Sequence, residues 1–157
     1  MSLVEWFKSL RGKDWGEETY GSLVRIERGD VEKLLEDIAS SYRETNYERL
    51  AETLGPDAEL VFRSQLGESF REEKRGAVGY LQETCFWFSD GFTYPTYRMT
   101  LVDVLESSET RWVVRCLAEF HQRKPGYSEV RGRNDEILTI GIHCGRAVVL
   151  RAEVSAA

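Results

Sequence analysis

The spacing of apolar residues changes partway along this chain. From Val31 to about Leu54 they recur at helical intervals, and from Tyr97 to Val154 they alternate with polar residues as strands do. Helices followed by a run of strands predict an α+β domain, with a curved antiparallel sheet holding the helices against one face. A sheet bent in that way closes a pocket.

The elements follow from this pattern. Residues 1–29 read as an N-terminal arm, with Leu3, Trp6, Phe7 and Leu10 forming an apolar helical stripe that Gly12 and Gly16 end. The domain proper is expected over 30–157. Gly29-Asp30 is expected to cap the main helix, and Lys33 at N3 denies it a capping box. Val31, Leu34, Leu35, Ile38, Ala39 and Tyr42 then share one face. A short helix capped by Asn46 follows, and Gly55-Pro56-Asp57 is expected to end it as a turn.

Ala58 to Arg63 alternates as a first strand, with Leu60 and Phe62 on one side. Glu68 to Arg75 is too polar for a core element and reads as a loop. Gly76 opens a third, aromatic helix that Ser89-Asp90-Gly91 closes. In the strands beyond it, Tyr97, Met99, Leu101, Asp103 and Leu105 share one face, as do Trp112, Val114, Cys116, Ala118 and Phe120. Leu138, Ile140 and Ile142 face the core from the next strand. Val148, Leu150, Ala152 and Val154 do so from the last, after a hairpin at Cys144-Gly145.

Composition narrows the function classes. The 157 residues suit one domain, and a net charge of -6 argues against nucleic-acid binding, which needs a clustered positive field. The nearest basic cluster, Arg123, Lys124, Arg131 and Arg133, is diluted by Glu129 and Asp135. No apolar run approaches a membrane span and no leader pattern opens the chain, so a cytoplasmic protein without membrane contact is expected. The three cysteines, Cys85, Cys116 and Cys144, lie among apolar neighbours and are expected as buried thiols. With two histidines and no metal-ligand spacing, neither a metal nor a cofactor is expected.

The stretch from Ile38 to Tyr42 through Asn46, Leu50-Ala51, Leu54 and Pro56-Asp57-Ala58-Glu59-Leu60 resembles the opening of the NTF2-like superfamily, including its SnoaL-like and ketosteroid-isomerase-like branches. Gly67, then Gly76-Ala77-Val78 and Tyr80-Leu81, are similar to the glycine and third helix of that family. The closing hairpin, with Gly145-Arg146-Ala147-Val148, resembles its last strands. The resemblance implies an NTF2-like cone: a curved mixed or antiparallel sheet packed on about three helices, a deep pocket, and a homodimer formed through the sheet. Its functions range from isomerases and hydrolases to non-catalytic binding domains, so it implies little about activity.

In the isomerase branch a first-helix tyrosine would be matched by Tyr42. The general-base aspartate would fall where this chain has Phe62, and a second buried acid would fall at Ile137 to Thr139, which has none, with Glu136 out of place. Steroid-isomerase chemistry is not expected.

Three constellations remain as candidates. Asp103 is a carboxylate on an apolar strand face, where desolvation raises a pKa toward a useful range. Arg115, Glu119 and His121 share a strand face, and Glu119 could orient His121. The aromatic residues Tyr80, Trp87, Phe88 and Tyr97, joined by Phe62 and Trp112, suit the walls of a site for a flat or apolar small molecule.

A small-molecule-binding domain is therefore expected. The alternatives are a cofactor-independent lyase, isomerase or hydrolase using Asp103 or His121 with Tyr42, and a protein-interaction module using the N-terminal helix.

Overall fold

The computed structural model describes residues 21–156, apart from the side chain of Leu66. The expected N-terminal helix around Leu3, Phe7 and Leu10 lies outside the described residues. Three helices and six strands follow in order: α1 (Arg28–Arg43), α2 (Tyr47–Glu52), β1 (Leu54–Leu66), β2 (Ser69–Gly76), α3 (Ala77–Ser89), β3 (Thr93–Ser107), β4 (Trp112–Arg123), β5 (Val130–His143) and β6 (Arg146–Ala156). The strands form one mixed sheet in the order β2-β1-β6-β5-β4-β3. Only the β1–β6 pair is parallel. Among the described residues no helix is long and apolar enough to cross a membrane.

Helix α1 forms because its apolar residues recur at i, i+3, i+4, i+7 and i+11, from Val31 to Tyr42, and all of them are buried. Its start differs from the expected one. Glu27 is the N-cap and Asp30 occupies N3, where its carboxylate accepts from the Glu27 backbone N–H at 2.8 Å. Asp30 reaches back toward the cap instead of serving as the cap, so a carboxylate at N3 does what Lys33 could not. Helix α2 starts as read, with the Asn46 side chain accepting from Arg49 N at 3.1 Å.

Two segments expected as irregular are strand. Gly55-Pro56-Asp57 lies inside β1, where the pairing with β6 slips register between Leu54 and Glu59. An irregular site needs no ladder N–H, so proline is accommodated there. The polar run expected as a loop is β2, paired antiparallel with β1 at the sheet edge. An edge strand has no apolar neighbour on its free side, and its charges discourage pairing with other chains. Phe70, 65% exposed, is the large apolar residue left on it.

Strand β3 also departs from simple alternation. Its pairing with β4 slips between Leu101 and Asp103, so Val104 takes the inward position and Asp103 is exposed. The hairpin from β5 to β6 turns on two residues with positive φ, Cys144 (49°) and Gly145 (70°), the backbone required by the tight turn that the right-handed strand twist favours. Cys144 is half-buried at this turn, whereas Cys85 and Cys116 are buried as expected. The preceding segment runs beside the turn, with Gly21 N donating to Cys144 O (3.0 Å) and Leu23 N to Gly145 O (2.9 Å).

The core between α1 and the sheet is built of rings. Tyr42 from α1 stacks on Tyr97 from β3, with centroids 4.4 Å apart and planes 6° from parallel. Tyr97 in turn stacks on Phe120 from β4 at 5.3 Å and 12°. Tyr94 meets all three rings edge-on. The Phe120 ring has room because its partner across the β4–β5 ladder is Gly132, where an added Cβ would collide with the ring.

Gly132→Val should therefore displace Phe120 from the stack and destabilise the fold by about 1–3 kcal/mol, the usual cost of overpacking. Urea denaturation of the variant beside the wild type measures it. Unchanged stability would show that the ring is free to move.

Candidate functional site

A cavity of about 300 Å³ opens between the sheet, α1 and α3. Alternation on β6 aims Ala152 and Val154 into it, and the same period on β1 aims Leu60 and Phe62. Helix α3 supplies Tyr80, Thr84 and Trp87, spaced three and four apart on one face. The ring stack forms the opposite wall through Tyr42, Tyr94, Tyr97 and Phe120. Tyr94 is fixed further by Gln122, whose Nε2 donates to its hydroxyl at 3.0 Å.

Glu136 of β5 is the buried acid on this cavity's wall, and Glu83 is at its mouth. The residues on either side of Glu136 across the ladder are Cys116 and Val154, and it is 8% exposed. No side chain or backbone group among the described residues donates a hydrogen bond to its carboxyl. Burial alone pushes that carboxyl up from 4.5 to about 7. The hydroxyls of Tyr80 and Tyr97 and the thiol of Cys116 also titrate well above their ordinary ranges. Burial is the first cause for each, and the charge of Glu136 is the second. These groups are neutral near pH 7.

The mouth carries the other charges. Arg75 of β2 bridges Glu73 and Glu83, each at 2.8 Å, and its guanidinium sits 5.1 Å from the centre of the Phe62 ring. That ring packs on Tyr80 at 5.9 Å. Among the described residues, the one basic side chain on the cavity wall is thus already paired with two carboxylates.

The sequence-predicted residues separate into two groups. The cavity gathers Tyr42, Phe62, Tyr80, Trp87 and Tyr97. Phe88 lies behind the wall, buried, with its ring edge-on to Tyr42 at 5.9 Å. Trp112 is at the far end of β4, outside the cavity, and its buried indole Nε1 has no hydrogen-bond partner among the described residues.

Asp103 is exposed and lies off the core face, because the register slip in β3 rotates it outward. Nor does Glu119 orient His121. Glu119 pairs with Arg98 (2.9 Å), Arg115 with Asp135 (3.2 Å), and His121 Nδ1 lies 3.3 Å from Glu129. His121 lines a separate open cleft with Glu36, Arg43 and Arg133.

Sequence reasoning set Glu136 aside as out of place for an isomerase acid, whereas the structure puts it on the cavity wall. The signal was present: Glu136 stands two residues before Leu138 and four before Ile140, so strand alternation puts it on their inward face. Among the described residues, no three His, Cys, Asp or Glu side chains come together as metal ligands would.

Many solved structures resemble this architecture, and three crystal structures illustrate the likeness. A candidate scytalone dehydratase from Novosphingobium aromaticivorans superposes with a TM-score of 0.67 at 15% identity, covering 82% of this chain and 83% of its own. A ketosteroid isomerase-like protein from Erwinia carotovora atroseptica gives 0.59 at 13%, covering 82% and 94%. An NTF-2-like protein of unknown function from Shewanella oneidensis gives 0.60 at 14%, covering 81% and 97%.

The chain has an NTF2-like fold.

No protein-family model matches it, and no curated protein does. Identity this low carries the NTF2-like architecture and says nothing of activity.

The Glu136 shift has a measurable sign. Between its unfolded value of 4.5 and its folded value of about 7, the native chain holds a proton that the unfolded chain has lost. Stability contributed by this group is therefore complete below the lower value and declines as pH rises through the window. Glu136→Gln should be close to wild type near pH 5, and more stable than wild type by on the order of 3 kcal/mol near pH 8. Urea denaturation of both proteins at the two pH values tests it. A gap that does not change with pH would mean the carboxyl is not desolvated.

Proposed function

We propose that this domain binds a small organic molecule in the aromatic cavity, with the Glu136 carboxyl as the polar contact inside it. The observation that carries the reading is the unpartnered carboxyl. A buried polar group without a hydrogen-bond partner costs stability, and a group kept at that cost points to a ligand that completes it. The rings around it offer a flat or apolar body several faces.

A second reading rests on the same group. A carboxyl that titrates near neutrality can both give and take a proton, as a cofactor-independent lyase, isomerase or hydrolase requires. In that reading Glu136, with Tyr42 lining the same cavity, takes the acid/base role assigned from sequence to Asp103 and His121. Those two stand outside the cavity.

Trp87 on the cavity wall makes binding visible by fluorescence. Titration with a panel of flat ligands (uncharged, cationic and anionic) should give saturable binding with a Kd below about 1 mM for at least one of them. Ala152→Phe, which fills the cavity, should weaken that binding at least about tenfold. If Ala152→Phe does not fold, Phe62→Ala enlarges the same space and should change affinity and ligand preference. Failure of the whole panel to saturate, or identical titrations for wild type and variants, would overturn the reading.

We also propose that two copies pair through the outer face of the sheet. Val102 and Leu105 of β3 stand 53% and 51% exposed there, while their neighbours Leu101 and Val104 pack inward. Sedimentation velocity should find a dimer that Val102→Glu with Leu105→Glu converts to a monomer. A wild-type monomer at tens of micromolar would refute the pairing.

A further inference from the structure

We infer that the cavity selects an organic cation: a ligand whose ammonium group lies against Glu136 while its apolar body lies between the rings. The inference rests on the cavity-binding reading above and adds the charge of the ligand.

It follows from what faces Glu136 on each side. Strand β4 presents Cys116 and the Phe120 ring. Strand β3 presents Tyr94 and Tyr97, helix α1 presents Tyr42, and helix α3 presents Tyr80. Strands β1 and β6 bring Phe62, Ala152 and Val154, which carry no charge, and β5 itself adds only the neutral amide of Asn134. The other charges on the cavity wall, among the described residues, are Arg75 and Glu83, already bridged to each other. Among the described residues, the wall therefore surrounds a carboxyl with hydroxyls and ring faces and supplies no free cation.

Such a carboxyl has two ways to avoid an uncompensated buried charge. It can keep its proton, or it can meet a positive group. A bound cation provides the second, and the electron-rich faces of the tyrosine and phenylalanine rings attract the same charge. An anionic ligand would face Glu136 as a like charge. A neutral hydrogen-bond acceptor would use the protonated carboxyl, and so would bind better in acid. The two modes thus predict opposite pH dependences. Glu136 titrates near 7, so a permanently charged cation should bind more tightly as pH rises through that value.

Calorimetric or fluorescence titration with phenyltrimethylammonium, tert-butylbenzene and acetophenone tests this on the full chain. The first is a permanent cation, the second its uncharged isostere, and the third a neutral acceptor. The cation should bind at least about tenfold more tightly than its isostere at about pH 8, and lose about tenfold or more by about pH 5.5. Glu136→Gln should remove both the preference and the pH dependence while still binding tert-butylbenzene. Equal affinity for cation and isostere, or acetophenone binding that strengthens in acid and exceeds that of the cation, would overturn the inference and leave the binding reading standing. Failure of every probe to bind, together with the whole flat-ligand panel, would remove both.

Discussion

The stack of Tyr42, Tyr97 and Phe120 is the contact on which the arrangement of this domain depends. It joins the last turn of α1 to two strands, and its centroid spacings of 4.4 and 5.3 Å leave no room for another layer. Stacked and edge-on ring pairs contribute about 0.5–1.5 kcal/mol each beyond the apolar area they bury. Their more important effect here is geometric. A helix anchored through one ring in a three-ring stack has a single docking position, whereas a helix seated on aliphatic side chains can slide by a fraction of a turn. Gly132 belongs to the same device: the Phe120 ring folds over a bare α-carbon on the neighbouring strand. Arg43 adds a clasp at the helix end, donating to the Tyr97 carbonyl at 2.7 Å.

The same rings wall the cavity, and this sets the problem of Glu136. Several other carboxylates of the sheet are paired. Glu72 and Glu153 share Arg63, and Glu59 and Glu153 share Arg151. Half-exposed pairs of this kind contribute little to stability, but each partner keeps some access to water. Glu136 has no such ion pair among the described residues. An isosteric glutamine or an apolar residue at this position would fill the space without a charge to desolvate. A sequence that retains the acid gives up stability at neutral pH, a trade expected where a site does chemical or binding work.

Much of the fold is legible in the residues, and the misreadings share one origin. Helix α1, the capped α2, the aromatic α3 and the four C-terminal strands follow from periodicity and turn chemistry alone. Each error arose where tertiary context overrides a local rule. Strand β2 carries almost no apolar residue because its sheet edge needs none, so its charges imitate a loop. Pro56 lies in a strand because a register slip removes the ladder bond it cannot make. Asp103 was assigned inward by strict alternation, and an extra residue in β3 turns it outward. Glu136 is the reverse case. Alternation from Leu138 and Ile140 places it inward, one residue before the stretch where the resemblance would seat an acid.

A cavity whose walls are also the core cannot adapt its shape at low energetic cost. Tyr42, Tyr97 and Phe120 would have to leave their stack for the space to widen on that side, and packed interiors resist such changes. Phe62 and Tyr80 are tied on the other side by the Arg75 guanidinium, which itself is held by two carboxylates. Shape is thus committed before any ligand arrives, and apolar shape alone separates similar ligands only weakly, by about 1–3 kcal/mol per methylene. The finer discrimination falls to the group that packing leaves unsatisfied. On the cavity wall that group is the Glu136 carboxyl, and under the proposed binding its protonation state would be the variable that separates one flat molecule from another.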